Sequence, residues 1–366
     1  MTTSQEGAFM QRINALKQKA FEEKNFDGFL ITNEINALYF AGCPGLACLF
    51  IPKTGESTAY VYSVNYEQAK AETKGLRVEM VKLNENLMAK VAKEAKNCKV
   101  KKLAADMLSY ENYRSLKKEL KGETKLKVKG NLVWELRKIK DEKELEFMRK
   151  AGELTVEGMK VACETIKPGV KEYEVAAEIE YAMRKKGSWG TAFETILASG
   201  ARSAFPHGGC LDREIRDGDL VVVDIGAAYR FYRADMTRTF VAGKPSEKQR
   251  KLYEIVKTAH EKASQAIRHK TKAKDVDAAA RKVIEEAGYG EYFVHGLGHG
   301  VGLEIHEPPA LSSESKDVLA AGNVVTNEPG IYLVGYGGVR IEDTVLVQER
   351  GLEKLTNGFY TLETNR

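Results

Sequence analysis

The chain has 366 residues, enough for two domains, and its 43% hydrophobic content can fill sizeable cores. The net charge of +5 comes from interleaved Lys and Glu rather than basic blocks, which argues against a nucleic-acid partner, and no apolar run is long enough to span a bilayer. Five irregularly spaced cysteines without a Cys-x-x-Cys pair argue against a disulfide framework or a zinc knuckle; with no signal-peptide core at the N-terminus, the expected compartment is the reducing cytoplasm.

Phe9, Ile13, Leu16 and Ala20 recur at helical spacing, so an amphipathic helix opens the chain. Short apolar runs then alternate with helical stretches. Strands are expected at 28–31, 47–51, 58–63, 78–82 and 100–105, and helices at 66–73, 87–95 and 110–120. This alternation predicts an α/β domain with a sheet between helices. It ends in the basic, Gly-bearing segment 121–130, which sets the boundary near residue 130: an N-terminal α/β domain over 1–130 and a second domain over 131–366.

The second domain opens on a helix with Asp141 as N-cap and Glu144 as capping-box partner, its buried stripe marked by Leu145, Met148, Gly152 and Met159. Pro168-Gly169 stops it, and a second helix over 173–186 ends at Gly187. A similar pair follows: one helix is marked by Leu252, Val256, Ala259, Ala263 and Ala266, the next runs over 276–286. Residues 171–177 (KEYEVAA) align with 274–280 (KDVDAAA), and Gly187 falls on Gly290 at the same offset of 103 residues. Two later stretches are also twins. In 218–226 (GDLVVVDIG) and 322–330 (GNVVTNEPG) the paired glycines superpose and Asp224 falls on Glu328. A second carboxylate follows each, Asp235 two residues before Thr237 and Glu342 two before Thr344. One helix pair plus one strand set, used twice, is the economical description.

Two hairpins with a carboxylate on each strand, packed about a pseudo-twofold, bring four anions together, and such a cluster is untenable unless cations neutralise it. Asp224 and Asp235 flank a turn at 229–232 and are expected opposite each other. The competing reading is a structural salt bridge from Asp224 to Arg238 or Arg233. Histidines add to the metal reading. His295, His299 and His306 fall within twelve residues, the first two in a run with four glycines, and His207 follows Pro206 in a second glycine-bearing loop. His260 and His269, in a Lys-rich helical region, are expected at the surface. One imidazole with four carboxylates suits two divalent ions such as manganese, cobalt or iron better than a structural zinc site. Paired ions about 3.5–4 Å apart can bridge a hydroxide and clamp a tetrahedral intermediate.

These motifs resemble the pita-bread metallopeptidases, in the Xaa-Pro branch that includes aminopeptidase P and prolidase: Ser199-Gly200 followed by Pro206-His207-Gly208, Asp224-Ile225-Gly226, Asp235-Met236-Thr237-Arg238-Thr239, His295 through His299 to His306-Glu307, Glu328-Pro329-Gly330, and Arg340-Ile341-Glu342-Asp343. The resemblance covers nearly the whole chain, since the first domain is similar to the creatinase-type N-terminal domain of that branch. It implies an α+β pita-bread catalytic domain with internal pseudo-twofold duplication. It also implies that Asp224, Asp235, His299, Glu328 and Glu342 are the metal ligands, with Asp235 and Glu342 bridging two ions, manganese or cobalt ahead of iron or zinc. Glu328 would be the general base; His306 and His207 would hold the scissile carbonyl and its oxyanion, His295 would line the proline-side pocket, and Thr237 and Arg340 would orient the carboxylates. The implied activity is hydrolysis of the bond between a first residue and a following proline, by a homodimer acting on proline-containing peptides. Asn327 stands where the family usually carries an apolar residue and is expected to point away from the metals; Cys210 is read as a neighbour of the His207 loop and not as a ligand. A strict dipeptidase needs a cation for the substrate's terminal carboxylate, and the 307–327 stretch offers only Lys316, which tilts the reading towards longer peptides. The alternatives are a methionine aminopeptidase and a creatinase-like or non-enzymatic binding module on the same fold.

Overall fold

A computed structural model describes residues 3–364, with side chains over 7–364. The chain divides into two compact units, Met1–Arg137 and Lys138–Arg366. The α-helices of the first unit among the described residues are α1 (Thr3–Lys17, continuing as a wider turn over Gln18–Glu23), α2 (Glu34–Ala41), α3 (Tyr66–Glu72), α4 (Leu87–Asn97), α5 (Tyr110–Leu120) and α6 (Asn131–Arg137). Its strands are β1 (Gly28–Ile31), β2 (Cys48–Pro52), β3 (Thr58–Tyr62), β4 (Arg77–Val81), β5 (Lys102–Ala105) and β6 (Lys125–Val128). They form one sheet in the order β4-β3-β2-β1-β5-β6, a mixed α/β sheet. Its core is built by Leu30, Phe50, Tyr60 and Leu103 of the strands with Met88, Val91 and Leu116 of α4 and α5.

The segment before the expected boundary at residue 130 carries a strand of this unit, and one helix carries the unit past that boundary. The basic segment 121–130 holds β6, which pairs parallel with β5. Its lysines mask it in the sequence because it is an edge strand, mostly exposed, where charge discourages further pairing. Then α6 buries Leu132 and Val133, and Arg137 is 2% exposed, stacks on Trp134 and donates to the Asn36 carboxamide at 2.7 Å.

The second unit begins with α7 (Glu142–Thr165), whose start is fixed by reciprocal bonds between Asp141 and Glu144, and α8 (Glu172–Lys185). Later come α9 (Glu247–Ala266) and α10 (Ala273–Glu286). The strands are β7 (Gly190–Thr191), β8 (Ile196–Ser199), β9 (Leu220–Ile225), β10 (Ala227–Tyr229), β11 (Tyr232–Arg233), β12 (Met236–Val241), β13 (Gly298–Gly300), β14 (Glu307–Leu311), β15 (Val324–Asn327), β16 (Gly330–Leu333), β17 (Gly337–Arg340), β18 (Asp343–Val347) and β19 (Leu352–Lys354). Sheet β12-β9-β8 packs with α7 and α8 around Met159, Ile179, Val223 and Phe240. Sheet β14-β13-β15-β18-β19 packs with α9 and α10 around Val256, Val276, Val325 and Val345. The duplicated sequence thus becomes two half-cores of the same plan, a helix pair packed on a sheet.

The halves meet along β12 and the 340–344 segment. The Thr344 hydroxyl donates to the Asp235 carbonyl at 2.8 Å and accepts the Asp235 N–H at 3.0 Å. The corresponding residues of the other half are also bonded, through different atoms: the Glu342 N–H donates to the Thr237 carbonyl at 3.1 Å, and the Thr237 hydroxyl to the Glu342 carboxylate at 2.6 Å. Swapping Asp235 with Glu342 and Thr344 with Thr237 maps one residue pair onto the other, although the bonding atoms differ between the two.

Candidate metal centre

The second hairpin keeps a single register, with Thr326 opposite Thr344, Asn327 opposite Asp343 and Gly330 opposite Arg340, so Glu328 and Glu342 face each other. The first differs from the expected arrangement. Asp224 lies opposite Thr237, and Asp235 lies beyond the start of β12, so the two aspartates meet on a diagonal. The cause is the tight reversal beyond them, a two-residue turn with Arg230 and Phe231 both in the left-handed region, which fixes the register. All four carboxylates nevertheless reach one place because the halves join at Asp235 and Glu342.

The ligand atoms of Asp235, His299 and Glu342 lie within 4.8 Å of one another. His299 Nε2 is 3.3 Å from Glu328 Oε1 and 3.7 Å from Asp235 Oδ2. Asp224 is paired neither with Arg238 nor with Arg233: its Oδ2 accepts from Arg340 at 2.6 Å. The opposite oxygens tell more. Asp224 Oδ1, Asp235 Oδ1 and Glu342 Oε1 are all buried and find no hydrogen-bond donor among the described residues. Burial, and then the neighbouring carboxylates, raise the Asp235 and Glu342 acids well above their ordinary range. Burial also pushes Glu328 up, but the bond and charge of His299 outweigh it and hold Glu328 down to about 2. Three orphaned oxygens on one oxygen-rich set leave a deficit of positive charge that divalent ions fit.

The imidazoles are oriented from behind. His299 Nδ1 faces the Gly300 carbonyl at 3.1 Å, which holds a proton on that nitrogen and leaves Nε2 as the one facing the carboxylates. The Thr326 hydroxyl accepts the His299 N–H at 3.0 Å and donates to Glu328 at 3.1 Å. A Cβ at Gly298 would lie 2.3 Å from the Thr326 carbonyl, so only glycine lets β13 approach this closely. His295 faces the Gly296 carbonyl through Nδ1 at 2.7 Å and the Tyr332 hydroxyl through Nε2 at 2.8 Å. Tyr332 accepts in turn from Arg340 Nη1 at 2.9 Å, and Arg340 Nε donates to the Thr237 hydroxyl at 3.0 Å. Thr237 and Arg340 therefore touch the carboxylates directly, and His295 is linked to them through Tyr332. His306 is exposed, its ring 4.2 Å from that of His299. Burial first, then the charge of His299, lower its pKa, and exposed His207 is close enough to contribute in the same direction.

His260 overturns the surface expectation. It is 1% exposed, on the α9 face shared with Val256, Ala259 and Ala263, and its Nε2 lies 3.3 Å from Asp343. The helical period of those alanines and valine carries that signal in the sequence. His269 is partly exposed and accepts the Ala321 N–H at 3.1 Å. Asn327 points to α9, donating to the His260 carbonyl and the Ser264 hydroxyl, each at 2.9 Å. Cys210 lies with its sulfur 3.2 Å from the Thr195 carbonyl, away from the carboxylates. The sequence reading missed Tyr332, and also Asp277 and Arg281, which hold the His295 loop through Leu297 N–H and the carbonyls of Phe293 and His295. No local motif announces them; an i, i+4 Asp–Arg pair on α10 was their only trace.

Comparison with known proteins identifies the family of both units. Residues 146–349 match the family described as metallopeptidase family M24, and residues 12–139 match the creatinase/prolidase N-terminal domain. The chain is 43% identical over 339 residues to the Xaa-Pro dipeptidase of Pyrococcus furiosus, covering 92% of this chain and 95% of that one. The solved Xaa-Pro dipeptidase from Bacillus anthracis superposes with a TM-score of 0.91 at 38% identity, covering 97% and 99% of the two chains. An X-Pro aminopeptidase from Thermotoga maritima superposes with a TM-score of 0.85 at 36% identity, covering 92% and 97%. Among the described residues no helix is long and apolar enough to cross a membrane.

Proposed function

The chain belongs to metallopeptidase family M24 and is a peptidase of the pita-bread fold, and from that premise we propose that it hydrolyses the Xaa-Pro bond of short peptides at a centre holding two divalent ions. The observation that carries the metal reading is the set of three buried oxygens on Asp224, Asp235 and Glu342 that have no hydrogen-bond partner among the described residues. These residues, with His299 and Glu328, would hold the ions. When bound, such ions polarise a carbonyl and lower the pKa of water. Glu328 serves as general base: ionised, fixed by Thr326 and beside His299, it takes the proton of the attacking water. His306 and His207, both exposed to solvent, donate to the scissile carbonyl oxygen as it gains charge. His295, held by Tyr332, lines the pocket for the proline ring. On the same reading the ions are manganese or cobalt ahead of iron or zinc, the protein is a homodimer, and it works in the cytoplasm.

Tyr332→Phe removes the hydroxyl that ties His295 to Arg340. It is expected to lower kcat/KM about tenfold while metal content stays at the wild-type level, as for other groups that support metal ligands; elemental analysis alongside kinetics checks both. The narrower question is peptide length. Likeness to dipeptidases favours Ala-Pro, while the likeness to an X-Pro aminopeptidase and the single cation Lys316 in the 307–327 stretch favour Ala-Pro-Ala. With manganese or cobalt the protein is expected to cleave one or both. It is expected to leave Met-Ala-Ser uncut; cleavage of that peptide alone would turn the assignment to methionine aminopeptidase.

A further inference from the structure

We propose that Glu172 and Arg202 are positioning residues that set the place of His207, a role that rests on the reading of His207 given above. Glu172, the first residue of α8, is fully buried, lies outside the metal set and takes no part in the mechanism so far described. One of its oxygens accepts the Ser199 N–H at 2.9 Å and the Ser199 hydroxyl at 2.6 Å. The other accepts the Leu211 N–H at 2.9 Å and the Arg202 guanidinium at 2.5 Å. Ser199 ends β8 and Leu211 lies beyond Cys210, so this one carboxylate pins both ends of the excursion that carries His207. Arg202 fills its interior. Its Nη2 donates to the Gly208 carbonyl and, at 3.2 Å, to the Gly209 carbonyl, those of the two residues that follow His207.

The excursion is anchored on its other side as well. The Ser203 hydroxyl donates to the Gly200 carbonyl at 2.6 Å and accepts the Gly338 N–H at 2.9 Å. A Cβ at Gly338 would lie 2.1 Å from the Ser203 carbonyl, so the turn sits directly on β17, the strand that ends at Arg340. Taking a full ion pair out of water yields little net stability over an apolar pair of the same shape. What the guanidinium supplies is a planar fork that holds a carboxylate and two carbonyls at once, which the single ammonium of lysine cannot do. The pair therefore fixes His207, itself exposed, at a set distance from the carboxylate centre.

The test uses the full-length, metal-loaded protein, with Arg202→Lys, His207→Ala and the double variant assayed on an Xaa-Pro peptide. Arg202→Lys is expected to lower kcat roughly ten- to a hundredfold, as for a displaced catalytic group, with KM and metal content unchanged. Hydrogen exchange is expected to quicken over 205–211 and nowhere else. In the His207→Ala background Arg202→Lys is expected to add less than about a twofold further loss, because two residues acting through one group are not additive. A full repeat of the loss in that background overturns the proposal, as does a loss explained by departed metal or by faster exchange throughout the unit. Wild-type kcat in His207→Ala alone would show that the role of His207 had failed, a result read before the double variant and distinct from failure of the positioning claim.

Discussion

Asp235→Asn is expected to cost at least about a thousandfold in kcat/KM, since Lewis-acid stabilisation by bound ions is worth several kcal/mol and each 1.36 kcal/mol is a factor of ten. Asp235 lies where the halves join, and its Oδ1 is buried without a donor among the described residues. The amide keeps the shape but removes the charge and one acceptor. A second consequence has the opposite sign. In the metal-free protein, burial and then the nearby Glu342 oppose ionisation of Asp235. A carboxyl whose ionisation the native site opposes costs stability there, and the neutral amide does not carry that cost, so metal-free Asp235→Asn is expected to melt at or above metal-free wild type. Metal stabilises the native form by about 2.7 kcal/mol per site at a hundredfold excess over Kd, and this gain is expected to disappear in the variant. Thermal midpoints with and without manganese, beside activity, separate the two effects. Equal activity and an equal metal-induced rise in both proteins would end the metal mechanism.

Arg238→Met is expected to destabilise the second unit by about 3–5 kcal/mol, the usual cost of removing one partner of a buried ion pair. For a unit of this size that corresponds to a fall of roughly 10 °C in thermal midpoint. Arg238 is fully buried, with its guanidinium stacked 4.3 Å from the Tyr360 ring centre. It donates to the Phe359 carbonyl at 2.8 Å, the Thr237 carbonyl at 2.9 Å, the Glu342 carbonyl at 2.6 Å and Asp343 at 2.8 Å. Burial pushes the Asp343 acid up, but Arg238, His260 and Lys354 outweigh it and hold that carboxyl well below its usual range. Loss of the guanidinium leaves Asp343 with His260, Lys354 and Tyr360, and releases the backbone that aims Glu342. Metal affinity is therefore expected to fall ten- to a hundredfold, as for other groups that orient metal ligands. Arg238→Met/Asp343→Asn should regain part of the stability. Denaturant midpoints of the metal-free proteins and metal titrations check the two parts; unchanged midpoints would show that the network carries no load.

The chain itself specified a good deal of this protein. Periodicity and capping at Asp141 and Glu144 marked the long helix, apolar runs marked the strands, and the matched glycines around Asp224 and Glu328 exposed the duplication. These are local signals, written in residues close in sequence. What the chain did not specify is which charged groups meet. Asp224 bonds Arg340 rather than Arg238 or Arg233, the aspartates of the first hairpin meet on a diagonal, and His260 turns inward to Asp343. The residues that complete the His295 relay, Tyr332 and Arg340, sit on the two strands of one hairpin, yet their target comes from a loop more than thirty positions away. Partners of this kind are chosen by strand register and by how the two half-cores dock, and both depend on contacts that exist only after the chain has closed.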